Sequence, residues 1–187
     1  MKLLMYGSQD PDGRALRAAI MHNKQDLVEK LLDNGTKDPR GWALQAAVKK
    51  SNEPLIDRLL ALGAQDLEGW SLAIAITRDQ STVIAKLLAH GAKDPKGWAL
   101  QAAIEKDQDT LIDDLLARGA KDPEGLALKA AIEVENNVLI DKLLAHGARD
   151  PKGLVLQAAL DTDDQALIAK IKEIQQGSKS KGAVPSP

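Results

Sequence analysis

Apolar positions fall in two short helical stripes that recur along the chain. Between Gly91 and Arg118, Leu100, Ala103 and Ile104 share one face of a helix. A polar stretch, Asp107-Gln108-Asp109, interrupts, and Leu111, Ile112, Leu115 and Leu116 form a second stripe. The same pattern starts again at Gly7, Gly35, Gly63, Gly91, Gly119 and Gly147, each 28 positions after the last. The six segments, from residue 7 to residue 174, superpose without insertion or deletion. The spacing predicts an all-α chain of six helical hairpins, with a first helix of about 12 residues and a second of about 9.

The segment boundaries carry helix signals. Asp-Pro, as in Asp94-Pro95, reads as an N-cap acceptor followed by a proline at the first helical position. Pro54 opens the second helix of its segment in the same way. The glycine that begins each segment stands where a left-handed C-cap is wanted, and the second glycine of each Asp-x-x-Gly reads as a close-packing position. One hairpin of 28 residues is too small to bury both its apolar faces. Neighbours must stack, which predicts a single elongated α-solenoid over residues 7–176. Leu3-Leu4-Met5-Tyr6-Gly7 matches Leu143-Leu144-Ala145-His146-Gly147, so residues 1–6 read as an N-terminal half-repeat or cap. In the last segment Lys172 replaces the second Leu of the Leu-Leu pair, as a final unit requires. Residues 177–187, rich in Gly, Ser, Lys and Pro, read as a disordered tail.

In the fifth segment the recurring elements are Asp122, Gly125, Leu128, Ala131, Leu139, Ile140, Leu143, Leu144, Gly147 and Ala148. These are an Asp-x-x-Gly opening, a Leu-x-x-Ala first helix and a Leu-Ile-x-x-Leu-Leu-x-x-Gly-Ala ending, and they resemble an ankyrin repeat. The resemblance covers all six segments. The ankyrin period is about 33 residues, and the residues missing here would have formed the projecting β-hairpin finger. The Thr-Pro-Leu-His tetrapeptide is also replaced, for example by Trp98-Ala99-Leu100-Gln101. The resemblance implies a right-handed stack of finger-less hairpins that serves as a protein-binding scaffold and not as an enzyme.

Composition narrows the function. Hydrophobic residues make up 44% of the chain, but only three Trp, one Tyr and no Phe are aromatic, so the core is aliphatic. Twenty-five Lys and Arg against 27 Asp and Glu leave a net charge of -2, without the basic excess of a phosphate-backbone binder. The absence of cysteine excludes disulfides and thiolate metal sites. No apolar run is long enough to span a membrane or act as a secretory signal, which makes the expected location cytoplasmic.

Asp10, Asp38, Asp66, Asp94, Asp122 and Asp150 form one column of the alignment. Stacked units lie about 10 Å apart, too far for two of these carboxylates to share a cation, so helix capping is the preferred reading. His90 and His146 lie two segments apart and His22 occupies another column, so the histidines cannot converge on an ion or a substrate. No catalytic constellation, metal site or cofactor site is expected. The informative column follows the second glycine: Arg14, Trp42, Trp70, Trp98, Leu126, Leu154. Helical phase turns Trp98 about 160° from the core direction, on the side of Gln101 and Glu105. The predicted partner-binding stripe is thus Trp42, Trp70 and Trp98 with Arg14, Arg17, Gln45, Lys49, Gln101, Glu105 and Lys129. The competing reading has each indole covering a gap between units. The expected function is a monomeric module that holds a protein or peptide on a concave first-helix face. A self-associating structural array and a repeat-code nucleic-acid binder are the alternatives; net acidity opposes the second.

Overall fold

The computed structural model describes residues 10, 12–150, 153–162 and 164–180, with side chains described up to residue 173. The expected half-repeat at residues 1–6 lies outside the described residues, as does the part of the expected tail from 181 to 187. Among the described residues the chain is all-helical, with twelve α-helices and no strand. Those of odd number are α1 Arg14–Met21, α3 Trp42–Lys49, α5 Trp70–Thr77, α7 Trp98–Glu105, α9 Leu126–Glu133 and α11 Leu154–Asp161. Those of even number are α2 Gln25–Asp33, α4 Glu53–Ala61, α6 Ser81–Ala89, α8 Asp109–Ala117, α10 Asn137–Ala145 and α12 Gln165–Ser180. Odd helices begin every 28 residues. The chain divides into two compact units, Met1–Lys93 and Asp94–Pro187, with the division inside the segment that begins at Gly91.

Odd helices have eight residues, not the expected twelve, and the reason is the Asp-Pro-x-Gly opening. Asp38 to Gly41 forms a turn in which the Gly41 N–H donates to the Asp38 carbonyl at 3.1 Å. Gly41 has φ 69°, outside any right-handed helix, so α3 starts only at Trp42. The aspartate still caps, but from further back: Asp38 Oδ2 accepts from the Leu44 N–H at 2.8 Å, six residues on. Asp66 does the same for Leu72, Asp94 for Leu100 and Asp122 for Leu128, at 2.7–2.8 Å. The proline is therefore the second residue of a turn and not the first of a helix.

The other helix signals act where the sequence places them. Pro54 lies in the first turn of α4, whose N-cap Asn52 accepts from the Leu55 N–H at 3.2 Å. Gly35, Gly63, Gly91, Gly119 and Gly147 follow the second helices with φ between 76° and 86°. The Gly35 N–H donates to Leu32 and the Thr36 N–H to Leu31, the paired bonds of a Schellman C-cap. The last helix, α12, runs to Ser180 and so takes in residues 177–180 of the expected tail.

In the first unit α1, α3 and α5 lie side by side, backed by α2, α4 and α6; in the second, α7, α9 and α11 lie side by side, α9 against α10 and α11 against α12. Leu16, Leu44, Ile56, Leu59, Leu72, Ile76 and Leu87 fill the first core, and Leu100, Ile112, Leu128, Ile132 and Ile140 the second. Ala43, Ala46, Ala99, Ala102, Ala127 and Ala130 are buried along the odd helices, where a short side chain lets backbones approach. Without hairpin fingers, the opening loops pair directly. The Lys93 N–H donates to Asp66 C=O, Lys121 to Asp94 and Arg149 to Asp122, at 2.9–3.0 Å. Among the described residues no helix is long and apolar enough to cross a membrane.

Leu67 stands where five segments have Pro, is 41% exposed, and its N–H donates no backbone hydrogen bond. Leu67→Pro should therefore stabilise the fold by about 0.5–1 kcal/mol through the unfolded chain. An unchanged or lower urea midpoint would refute that expectation.

Candidate functional site

The odd helices present a stripe at their first, fourth and eighth residues, which share a face. In the first unit these are Arg14, Arg17 and Met21, then Trp42, Gln45 and Lys49, then Trp70, Ala73 and Thr77. Arg14, Arg17, Lys49 and Trp70 are exposed, and Trp42 and Gln45 are half-buried. Trp42 and Trp70 thus lie on neighbouring packed helices. Trp98 belongs to the second unit, where its column continues as half-buried Leu126 and exposed Leu154.

The three indoles are not equivalent. Trp70 is 45% exposed, a large apolar surface on this face. The Trp42 ring has two guanidinium groups over it, those of Arg14 and Arg40, each 5.2 Å from the centroid. The Lys96 ammonium lies 5.0 Å from the Trp98 centroid. Each such cation–π contact contributes roughly 0.5–1 kcal/mol at an exposed site and covers part of the ring. Arg40 and Lys96 were missed from sequence, although both sit two residues before a tryptophan, at the x of Asp-Pro-x-Gly. The corresponding residue before Trp70 is Glu68. The residue two before the tryptophan is thus a cation at half-buried Trp42 and Trp98 and an acid at exposed Trp70.

The polar members of the stripe in the second unit are engaged within their own helices. Gln101 Nε2 donates to Glu105 at 2.8 Å, and Lys129 pairs with Glu133. In the first unit Arg14 approaches Asp12 only to 4.0 Å, while Arg78 Nη1 donates to the Lys49 carbonyl at 2.6 Å.

The aspartate column is structural and unusually deep. Asp38, Asp66, Asp94 and Asp122 are 2–6% exposed. Burial pushes their carboxyls above the ordinary Asp range, Asp94 to about 6, against the opposing pull of the backbone N–H groups at the helix start. Asp38 Oδ1 packs over Gly13 of the preceding segment, and Asp122 Oδ1 over Gly97. Asp38 and Asp122 thus each cap their own helix with one oxygen and face the neighbouring glycine turn with the other.

His90 and His146 are accounted for locally: their Nδ1–H groups donate to the Lys86 and Lys142 carbonyls, at 2.9 and 2.8 Å, in the last turns of α6 and α10. Among the described residues no group of three His, Cys, Asp or Glu side chains could hold a metal ion. The opposite, even-helix face carries ion pairs between successive segments: Arg58 with Glu29 and Asp33, Lys86 with Glu53 and Asp57, Lys142 with Asp113, and Lys170 with Asp141. Sequence reading did not find this ladder, because it joins residues 25 to 33 apart.

No protein-family model matches the sequence, and no curated protein matches it.

Proposed function

We propose that the protein is a non-enzymatic interaction module, an ankyrin-like helical-repeat solenoid that holds a protein or peptide partner along the odd-helix face. The observation that carries this reading is Trp70, 45% exposed beside half-buried Trp42 on a face whose neighbours are small or polar. Exposed Trp is costly to keep and is enriched at binding hot spots. The even-helix face, by contrast, is closed by its own ion pairs, which leaves it little to offer a partner. The reading carries with it a cytoplasmic monomer that needs no cofactor.

Selection of peptides from a random displayed library, followed by counter-screening on Trp70→Ala, tests the reading. Selected peptides should lose more than 1 kcal/mol of binding, about a factor of five or more, on Trp70→Ala. Trp42→Ala and Trp98→Ala should cost less, because cations already cover those rings. Peptides indifferent to all three substitutions would remove the tryptophan column as a binding site.

A further inference from the structure

The odd-helix face of the first unit carries an excess of cations: six Lys and Arg against three acids, with no acid on the helices themselves. Helices α1, α3 and α5 contain no Asp or Glu at all: their sequences are RALRAAIM, WALQAAVK and WSLAIAIT. The cations on or at the ends of these helices are Arg14, Arg17, Arg40, Lys49, Lys50 and Arg78, all exposed. The acids near them, Asp12, Glu68 and Asp79, lie in the flanking turns. Each odd helix of the second unit instead ends in an acid, Glu105, Glu133 or Asp161, held by Gln101, Lys129 or Gln157 four residues earlier. On the even helices, Arg58, Lys86, Lys142 and Lys170 are each matched by a carboxylate of the preceding segment. The first unit's odd-helix face is thus the place where Lys and Arg gather without carboxylates among them on the same helices.

We propose that the α1/α3/α5 face of the first unit docks an extended acidic peptide segment, with Trp70 as its apolar anchor. This rests on the reading of that face as a docking surface and adds the chemistry of the partner. Neighbouring packed helices lie 8–10 Å apart, so three of them span about 20 Å, the length of roughly six extended residues. Carboxylates at alternate or every third position would meet successive cations. Arg14 and Arg40 lie over the Trp42 ring and are exposed, and a guanidinium can contact a carboxylate through two N–H groups at once. Single-stranded nucleic acid fits less well. It needs open aromatic faces for successive bases, and the Trp42 ring is already covered by its two guanidinium groups.

Fluorescence anisotropy with three labelled probes of about twelve units tests this: a peptide of Glu, Ser and Leu, its Lys-for-Glu twin, and oligo-dT. The full chain should bind the acidic peptide at least about tenfold tighter than the Lys twin and tighter than oligo-dT at about 50 mM salt. Arg17→Glu with Lys49→Glu should weaken that binding about tenfold. Lys121→Glu with Arg149→Glu, the same charge change on exposed loop positions of the second unit, should leave it within about twofold. Circular dichroism checks the fold; if the double reversal unfolds, Arg17→Gln with Lys49→Gln should still weaken binding about threefold. Equal loss in both double variants would mean non-specific attraction and would overturn the proposal, as would absence of acidic-peptide binding or tighter binding of oligo-dT. Binding that depends on Trp70 but is equal for both peptides would overturn the acidic chemistry and leave the docking face standing.

Discussion

Gly125→Ala is expected to destabilise the second unit by about 3 kcal/mol or more, against about 1 kcal/mol for Gly119→Ala. Both glycines have left-handed backbones, with φ 77° and 83°. The conformational penalty of a Cβ is therefore common to the two. Their surroundings differ. A Cβ on Gly125 would lie 2.6 Å from the Arg149 carbonyl oxygen and 2.7 Å from Val155 Cγ2, in the next segment. A Cβ on Gly119 would meet nothing within 4 Å. The Arg149 carbonyl belongs to the opening loop whose N–H bonds to Asp122, so it cannot retreat without breaking the stacking of loops. Urea unfolding of the two variants isolates the packing cost from the backbone cost. Equal losses would mean that the turn glycines serve conformation alone and that the close approach is not a stability element.

The second expected result is that stability rises on mild acidification. Asp94 is pushed up to about 6 from 3.8, and Asp38, Asp66 and Asp122 are raised as well. The folded state then takes up protons before the unfolded chain does. The cost of holding these carboxylates ionised is present in full above the folded value and is relieved as pH falls through 6 toward 4. At 1.36 kcal/mol per unit, the Asp94 shift corresponds to about 3 kcal/mol. Few surface contributions oppose it in this window, because exposed ion pairs such as that of Lys86 with Asp57 stabilise little. Denaturation midpoints should therefore increase from pH 7.5 to pH 5. Asp94→Asn should flatten the rise, because the amide oxygen can still accept from Leu100 while carrying no charge. A midpoint that falls over this range would show that the helix-start N–H groups outweigh the burial.

The second result concerns residues that look chemically active in the sequence and act structurally in the fold. A column of six aspartates invites a cation site. Each carboxylate instead spends one oxygen on a helix start, and among the described residues none joins two others in a group that could hold an ion. The histidines follow the same logic: one column of them caps helix carbonyls. On the odd-helix face of the first unit, by contrast, Trp70 is 45% exposed and Arg14, Arg17 and Lys49 reach the surface.

Much of the architecture is local and was therefore legible. Apolar spacing sets helical phase within each segment, so the number of helices, and the nine-residue length and glycine C-caps of the first five second helices, follow from residues fewer than ten apart. The shared helix position of Trp42, Trp70 and Trp98 follows from the same period, although only Trp70 is exposed. Helix starts were misplaced because Asp-Pro has two local solutions, a first helical turn or a reverse turn. The glycine three residues after the aspartate, packed against the next segment's loop, selects the second. How far each indole is covered also lay beyond periodicity. It depends on a cation two residues away and, for Trp42, on Arg14 one segment earlier, and only folding sets those distances. The ion pairs between residues 25 to 33 apart and the upward shift of the buried aspartates have the same origin. Charge pairing and desolvation are properties of neighbours in space, and the repeat pattern specifies which residues recur but not which of them touch.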